Sequence, residues 1–130
     1  PDLLAGAGGQ SDACGALRRL QERGVWIGTV RNGSAGAAEQ LRDRGGLGRY
    51  VEQIPSCDQV EAFKPHPAPY QLAMRSFAGQ ATMVAAHGWD IVGARRAGLH
   101  TLWIDREERP WPFPFDEPRR DRDLAMAAVI

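Results

Sequence analysis

Three short, apolar, β-prone runs separated by segments of helical period constrain this chain most. Residues 25–30 (Val-Trp-Ile-Gly-Thr-Val), 82–86 (Thr-Met-Val-Ala-Ala) and His100–Ile104 are too short for helices and too apolar for surface strands, so they read as buried strands. Between them lie helical patterns. Ser11 or Asp12 caps a helix with Leu17 and Leu20 on one side, stopped at Gly24. Asn32-Gly33-Ser34 opens a second, through Ala37, Ala38 and Leu41, ended by Gly45-Gly46. Pro69 suits the first turn of a third, carrying Tyr70, Leu72, Ala73 and Phe77. Residues 89–97 form a fourth, with Gly98 as its stop. A further short strand is expected at residues 50–54. Alternation of this kind predicts an α/β domain with a mainly parallel sheet flanked by helices, a reduced Rossmann-like core. Ligands bind beyond the carboxyl ends of such strands. That places residues 31–34, 63–67 and 86–90 together.

The remainder is irregular. Residues 1–10 are rich in Gly and Ala without a period. Residues 63–67 (Phe-Lys-Pro-His-Pro) are expected to be extended, because a residue before proline avoids the α region. Residues 110–118 hold four prolines with Trp111, Phe113 and Phe115, and read as a non-regular arm with aromatic anchors. Residues 124–130 fit a strand or a helix equally. The whole, residues 1–130, is read as one domain.

Charge narrows the function classes. Sixteen basic residues balance sixteen acidic ones, so no long-range pull towards nucleic acid or anionic lipid is expected. The longest apolar run, residues 124–130, falls far short of the ~20 residues that span a bilayer. No basic-then-apolar leader opens the sequence, and a cytoplasmic location is the expectation. Cys14 and Cys57 indicate neither a disulfide framework nor a zinc site. Neither a metal nor a cofactor is expected.

Lys64 is the only Lys and Asn32 the only Asn in a chain biased towards Arg, Ala and Gly. In such a background their sole occurrences draw attention. Asn32, Gly33 and Ser34 present amides and a hydroxyl at a helix start, which serves an anion site or a plain cap. Lys64, set beside Pro65, is either an anion binder or a solvated surface charge. His87, Trp89 and Asp90 cluster at another helix start. Asp90 suits the helix dipole there, and His87, three residues away, shares its face and fits an acid/base pair. Trp89 is either a pocket wall or core packing. Arg31 and Lys64 against Asp90 alone predict a site of net positive potential.

Together these segments resemble the haloacid dehalogenase superfamily, and within it the type II 2-haloacid dehalogenase-like group. The matching text is Val30-Arg31-Asn32-Gly33-Ser34, then Phe63-Lys64-Pro65-His66-Pro67-Ala68-Pro69-Tyr70, then residues 84–90 with Gly93-Ala94-Arg95 and Ala97-Gly98. The resemblance runs from Leu17 to Arg109. It implies that Lys64 stabilises negative charge at the nucleophile and the substrate carboxylate. It also implies that Asn32 helps hold substrate, that Trp89 lines the pocket, and that Asp90 aligns or activates the hydrolytic water. It implies no metal.

Two departures stand against it. The superfamily's nucleophile is an Asp ending a first strand, in an Asp-x-x-Gly-Thr pattern, and nothing here matches. Asp2 and Asp12 are the early carboxylates, and no strand pattern precedes either. The helical cap that follows that strand is missing too. The small hydroxyl residue before Asn-Gly is Arg31, Ala85 replaces a further small polar residue, and His87 stands where Asn is frequent. The favoured reading is therefore a shortened, repurposed member without the Asp nucleophile. It would bind or convert a small anionic or carbonyl-bearing ligand, with His87 and Asp90 moving a proton and Lys64 and Arg31 stabilising an oxyanion. One alternative is the C-terminal part of a 2-haloacid dehalogenase-type hydrolase whose nucleophile lies upstream or on another chain. Another is a non-catalytic interaction module using the aromatic arm. In the family the missing strand lies centrally, between those matching residues 25–30 and 82–86. A homodimer or strand-complementing partner, with residues 110–118 at the contact, is expected to fill the gap.

Overall fold

The computed structural model describes residues 11–30, 32, 50, 60–76 and 81–122. The expected second helix, most of the expected strand at 50–54, and residues 124–130 lie outside them, as do Asp2, Arg31, Ser34 and Cys57.

Helix α1 spans Ser11–Glu22, with Ala16 and Leu17 buried. Helix α2 spans Pro67–Ser76 and starts two residues before its expected Pro69. Strand β1 (Thr82–Ala85), helix α3 (Gly88–Arg96) and strand β2 (His100–Ile104) follow, within a residue or so of their sequence-based bounds. Gly98 ends the α3 turn at φ +97°, a region that other residues seldom enter.

The sheet runs in the order β1-β2-β3, with both pairings parallel. Thr82 faces His100 and Ala85 faces Trp103, so the carboxyl ends of β1 and β2 lie level. Strand β3 (Arg119–Asp121) was not expected from the sequence. An Arg-Arg-Asp triplet has no apolar alternation, and only tertiary pairing with Leu102, Trp103 and Ile104 makes it a strand. Helix α3 returns across the face of β1 and β2. Tyr70, Met83, Ala85, Ile91, Ala94, Leu99 and Trp103 form the core between sheet and helices.

Two expectations need correction. Residues 25–30 are not a buried strand: only Gly28 forms a bridge, and Val25 (40% exposed) and Trp26 (58%) face outwards, while Ile27 and Val30 are buried. A strand needs neighbours for its backbone groups, and among the described residues this run has only that one bridge. Residues 63–67 are not extended either. The His66 amide donates to the Phe63 carbonyl at 3.0 Å across a cis Lys64–Pro65 peptide, and α2 begins at Pro67. The proline restriction excludes the α region before it, but a tight turn satisfies it equally. The aromatic arm is irregular as expected, and Trp111 and Phe113 are its anchors, while Phe115 is exposed. Trp111 meets Trp103 edge-on with ring centroids 5.1 Å apart, and Phe113 packs on Trp111 at 5.0 Å.

Candidate active site

The turn before α2 and the first turn of α3 bring two charges together out of water. Lys64 Nζ donates to Asp90 Oδ2 at 2.7 Å, with side-chain exposures of 1% and 0%. The Tyr70 hydroxyl donates to Asp90 Oδ1 at 2.5 Å. Each carboxylate oxygen thus has its own donor. That matters because a buried carboxylate left short of donors costs several kcal/mol.

Local sequence explains the assembly. Asp90 sits in the first turn of α3, where its charge is favoured by the helix dipole. Gly93 lies one turn further along the same face. A Cβ there would stand 2.7 Å from the Tyr70 hydroxyl oxygen and 3.0 Å from Pro65 Cβ. Only glycine lets α2 and the Lys64-Pro65 turn approach α3 closely enough for Tyr70 to reach Asp90. Asn32 fixes the other side. Its Oδ1 accepts from the Lys64 backbone amide at 2.6 Å, and its Nδ2 donates to the Lys64 carbonyl at 3.3 Å. The sole Asn therefore grips the backbone of the sole Lys through both ends of its amide.

The structure thus unites Asn32, Lys64 and Asp90, which the sequence had singled out, and adds Tyr70, which it had placed on the third helix without a role in the site. Tyr70 was legible in principle: it follows Lys64 by six residues, on the first turn of the helix that the same prolines start. Trp89 borders the cluster, with Lys64 Nζ 5.6 Å from its ring centre. The His87 ring also neighbours Trp89, at 5.7 Å between ring centroids. The expected His87–Asp90 pair does not form. Both Asp90 oxygens are engaged elsewhere, and His87 Nδ1 is buried without a hydrogen-bond partner. His87 instead occupies the cap of α3, where its carbonyl accepts the Asp90 amide at 3.0 Å. Lys64 and Asp90 balance each other, and the expected positive surplus rests on Arg31. Arg31 and Ser34 lie outside the described residues. No group of three or more His, Cys, Asp or Glu among the described residues is arranged to hold a metal.

The turn between β1 and α3 is held from behind. The Ala86 carbonyl accepts from Trp103 Nε1 at 3.1 Å and from Arg109 at 3.4 Å. Arg109 also donates to Asp105 Oδ1 at 3.1 Å. The site thus sits at the carboxyl end of β1, where a parallel sheet places its ligands.

Comparison with known proteins gives a consistent picture. Residues 11–104 match the model of the haloacid dehalogenase-like hydrolases. The chain is 33% identical over 118 residues to haloacetate dehalogenase H-2 of Moraxella sp. (strain B), covering 88% of this chain and 51% of that protein. It is 31% identical over 117 residues to (S)-2-haloacid dehalogenase H-109 of Pseudomonas putida, covering 87% and 52%. A crystal structure of an L-2-haloacid dehalogenase superposes with a TM-score of 0.83 at 30% identity, over 92% of this chain and 54% of that one. The chain spans about half the length of these relatives.

Proposed function

The chain belongs to the haloacid dehalogenase-like hydrolase family, and from that premise we propose that it carries the charge-handling half of a hydrolytic site for small 2-substituted carboxylates. In this reading the carboxylate nucleophile comes from a segment upstream of this sequence or from another chain. The observation that carries the reading is the state of the Lys64 ammonium. It has three N–H donors. One reaches Asp90, and none of the others has a polar partner among the described residues. With 1% of the side chain exposed, bulk water does not satisfy them either. Buried donors of this kind suit two further anions, the nucleophile and the substrate carboxylate.

The same reading assigns each residue a role. Asn32 sets the position of Lys64 through its backbone, and so acts on substrate through Lys64. Asp90, fixed by Tyr70, is the acceptor that aligns a hydrolytic water. Trp89 walls the pocket beside the ammonium. We assign Arg31 and Ser34, which lie outside the described residues, to binding the same anion. The site works without a metal in this reading, with the Lys64 ammonium as the positive charge that faces the anions. No helix among the described residues is long and apolar enough to cross a membrane, and we place the protein in the cytoplasm. On its outer side β1 has no strand among the described residues. A homodimer or a strand-complementing partner would cover that edge.

A second reading, the repurposed protein that handles a carbonyl ligand by acid/base chemistry, draws on the buried, unpartnered Nδ1 of His87. Calorimetric titration of small 2-halocarboxylates and of 2-oxocarboxylates decides between them. The hydrolytic reading expects Lys64→Met to weaken halocarboxylate binding by roughly 1.5–3 kcal/mol while His87→Phe changes it little. Unchanged binding by a folded Lys64→Met variant would overturn it. Binding confined to oxocarboxylates and lost in His87→Phe would favour the second.

A further inference from the structure

The aromatic arm packs on Trp103 of β2 and along helix α3, the element that carries Asp90. Its contacts are spread along the whole of α3. At the start of the helix, the Phe113 ring lies 2.7 Å from where a Gly88 Cβ would stand, and Trp111 lies 3.3 Å from it. Near the end, Arg95 donates to the Asp116 carbonyl at 2.5 Å, and the Arg96 guanidinium lies 5.3 Å from the centre of the Phe115 ring. The helix rises about 10 Å between those points, and the arm follows it in the same direction. Trp111 Nε1 closes the arm on itself by donating to the Phe115 carbonyl at 2.9 Å. Trp111 also meets Trp103, whose indole donates to the Ala86 carbonyl just before the helix.

We infer that residues 110–118 are a strap over α3, and that Phe113, seated on Gly88, is a positioning residue for Asp90. The argument is one of leverage. Gly88 is the first residue of the helix and Asp90 the third. First-turn amides lack helical partners and fray most readily. Asp90 must hold Lys64 and Tyr70 at once, so a small rotation of that turn breaks one bond or the other. The His87 carbonyl accepts the Asp90 amide at 3.0 Å and, more weakly, the Ile91 amide at 3.3 Å, and the His87 imidazole Nδ1 adds no hydrogen bond to the turn. The ring of Phe113 against a bare glycine supplies a rigid stop instead. A helix start with a side chain at residue 88 would keep the ring away. The inference rests on the proposed role of Asp90 and Lys64, and adds to it the element that keeps them registered.

Because Lys64 is the only Lys, selective [¹⁵N]lysine labelling gives one ammonium signal from the full chain. Its hydrogen exchange reports the Lys64–Asp90 contact directly. The amides of Leu102 and Trp103 in β2 report the stability of the fold. In the wild type the ammonium exchanges slowly, and Asp90→Asn abolishes that protection. Phe113→Ala is expected to speed ammonium exchange about tenfold or more while the β2 amides keep their rates. Phe113→Leu, which keeps apolar bulk, restores most of the protection. Gly88→Ala is expected to reproduce the loss by displacing the ring, and to add little in the Phe113→Ala background. Equal acceleration of the ammonium and the β2 amides would mean that the arm only stabilises the fold, and would overturn the inference. So would an unchanged ammonium rate. A wild-type ammonium that exchanges freely would instead overturn the buried pair itself, and the proposed function with it.

Discussion

The molecule holds two polar clusters at neighbouring strand ends, and they are built differently. At the end of β1, Lys64, Tyr70 and Asp90 are all buried, and each Asp90 oxygen has one short donor. At the end of β2, Asp105 is equally buried, but its partners Arg109 and Arg120 are 51% and 29% exposed in their side chains. Arg120 approaches Asp105 only to 3.6 Å, and Asp105 Oδ2, Arg120 Nε and Asp121 Oδ2 have no hydrogen-bond partner. The guanidinium of Arg120 lies over Trp103 instead, at 4.5 Å. The difference teaches where a fixed charge geometry comes from. Two partners removed from water have no alternative to each other, whereas a half-exposed Arg trades its carboxylate for solvent at little cost. Among these two clusters, only the first holds both charged partners out of water.

The sharpest way to break the comparison is to remove one charge. Asp90→Leu strands the Lys64 ammonium, and urea unfolding should show a loss of about 3–5 kcal/mol. The double variant Lys64→Met with Asp90→Leu should recover most of it, since the cost lies in the unpaired charge. A loss below about 1 kcal/mol for the single variant would mean that water reaches the pair.

Tyr70→Phe comes next. It keeps the ring against Gly93 and removes only the donor to Asp90 Oδ1, so roughly 1.5–3 kcal/mol should be lost. Thermal unfolding measures it, and a neutral result would leave Tyr70 as core packing alone.

Asp105→Asn should cost less, about 1 kcal/mol, because its two arginines rehydrate without rearranging the strand ends. A loss equal to that of Asp90→Leu would erase the distinction between the clusters.

The same contrast marks how much the sequence made legible. The β1-α3-β2 unit was readable because apolar runs, a helical period and Gly98 all pointed one way. Lys64, Asn32 and Asp90 were readable from their types and neighbours. Their bonding was not. Spacing alone put His87 with Asp90 on a helical face, while the structure engages the Asp90 oxygens with Lys64 and Tyr70, partners 26 and 20 residues away. Long-range pairing also hid β3, whose Arg-Arg-Asp is a strand only because β2 is beside it. It hid the arm's role as well, since its composition signals aromatic anchors but not the bare Gly88 that receives one.

The central claim is that this chain holds half of a hydrolytic site and needs a carboxylate nucleophile from elsewhere. Halide release from 2-haloacids tests it most directly, with the 130-residue chain assayed alone and again with a polypeptide carrying the family's first strand and cap. The account predicts no release from the chain alone, release from the combination, and loss of that release with Asp90→Asn. Halide release by the chain alone that disappears with Asp90→Asn, or a complex that forms with an intact Lys64–Asp90 pair yet turns over nothing, would contradict it.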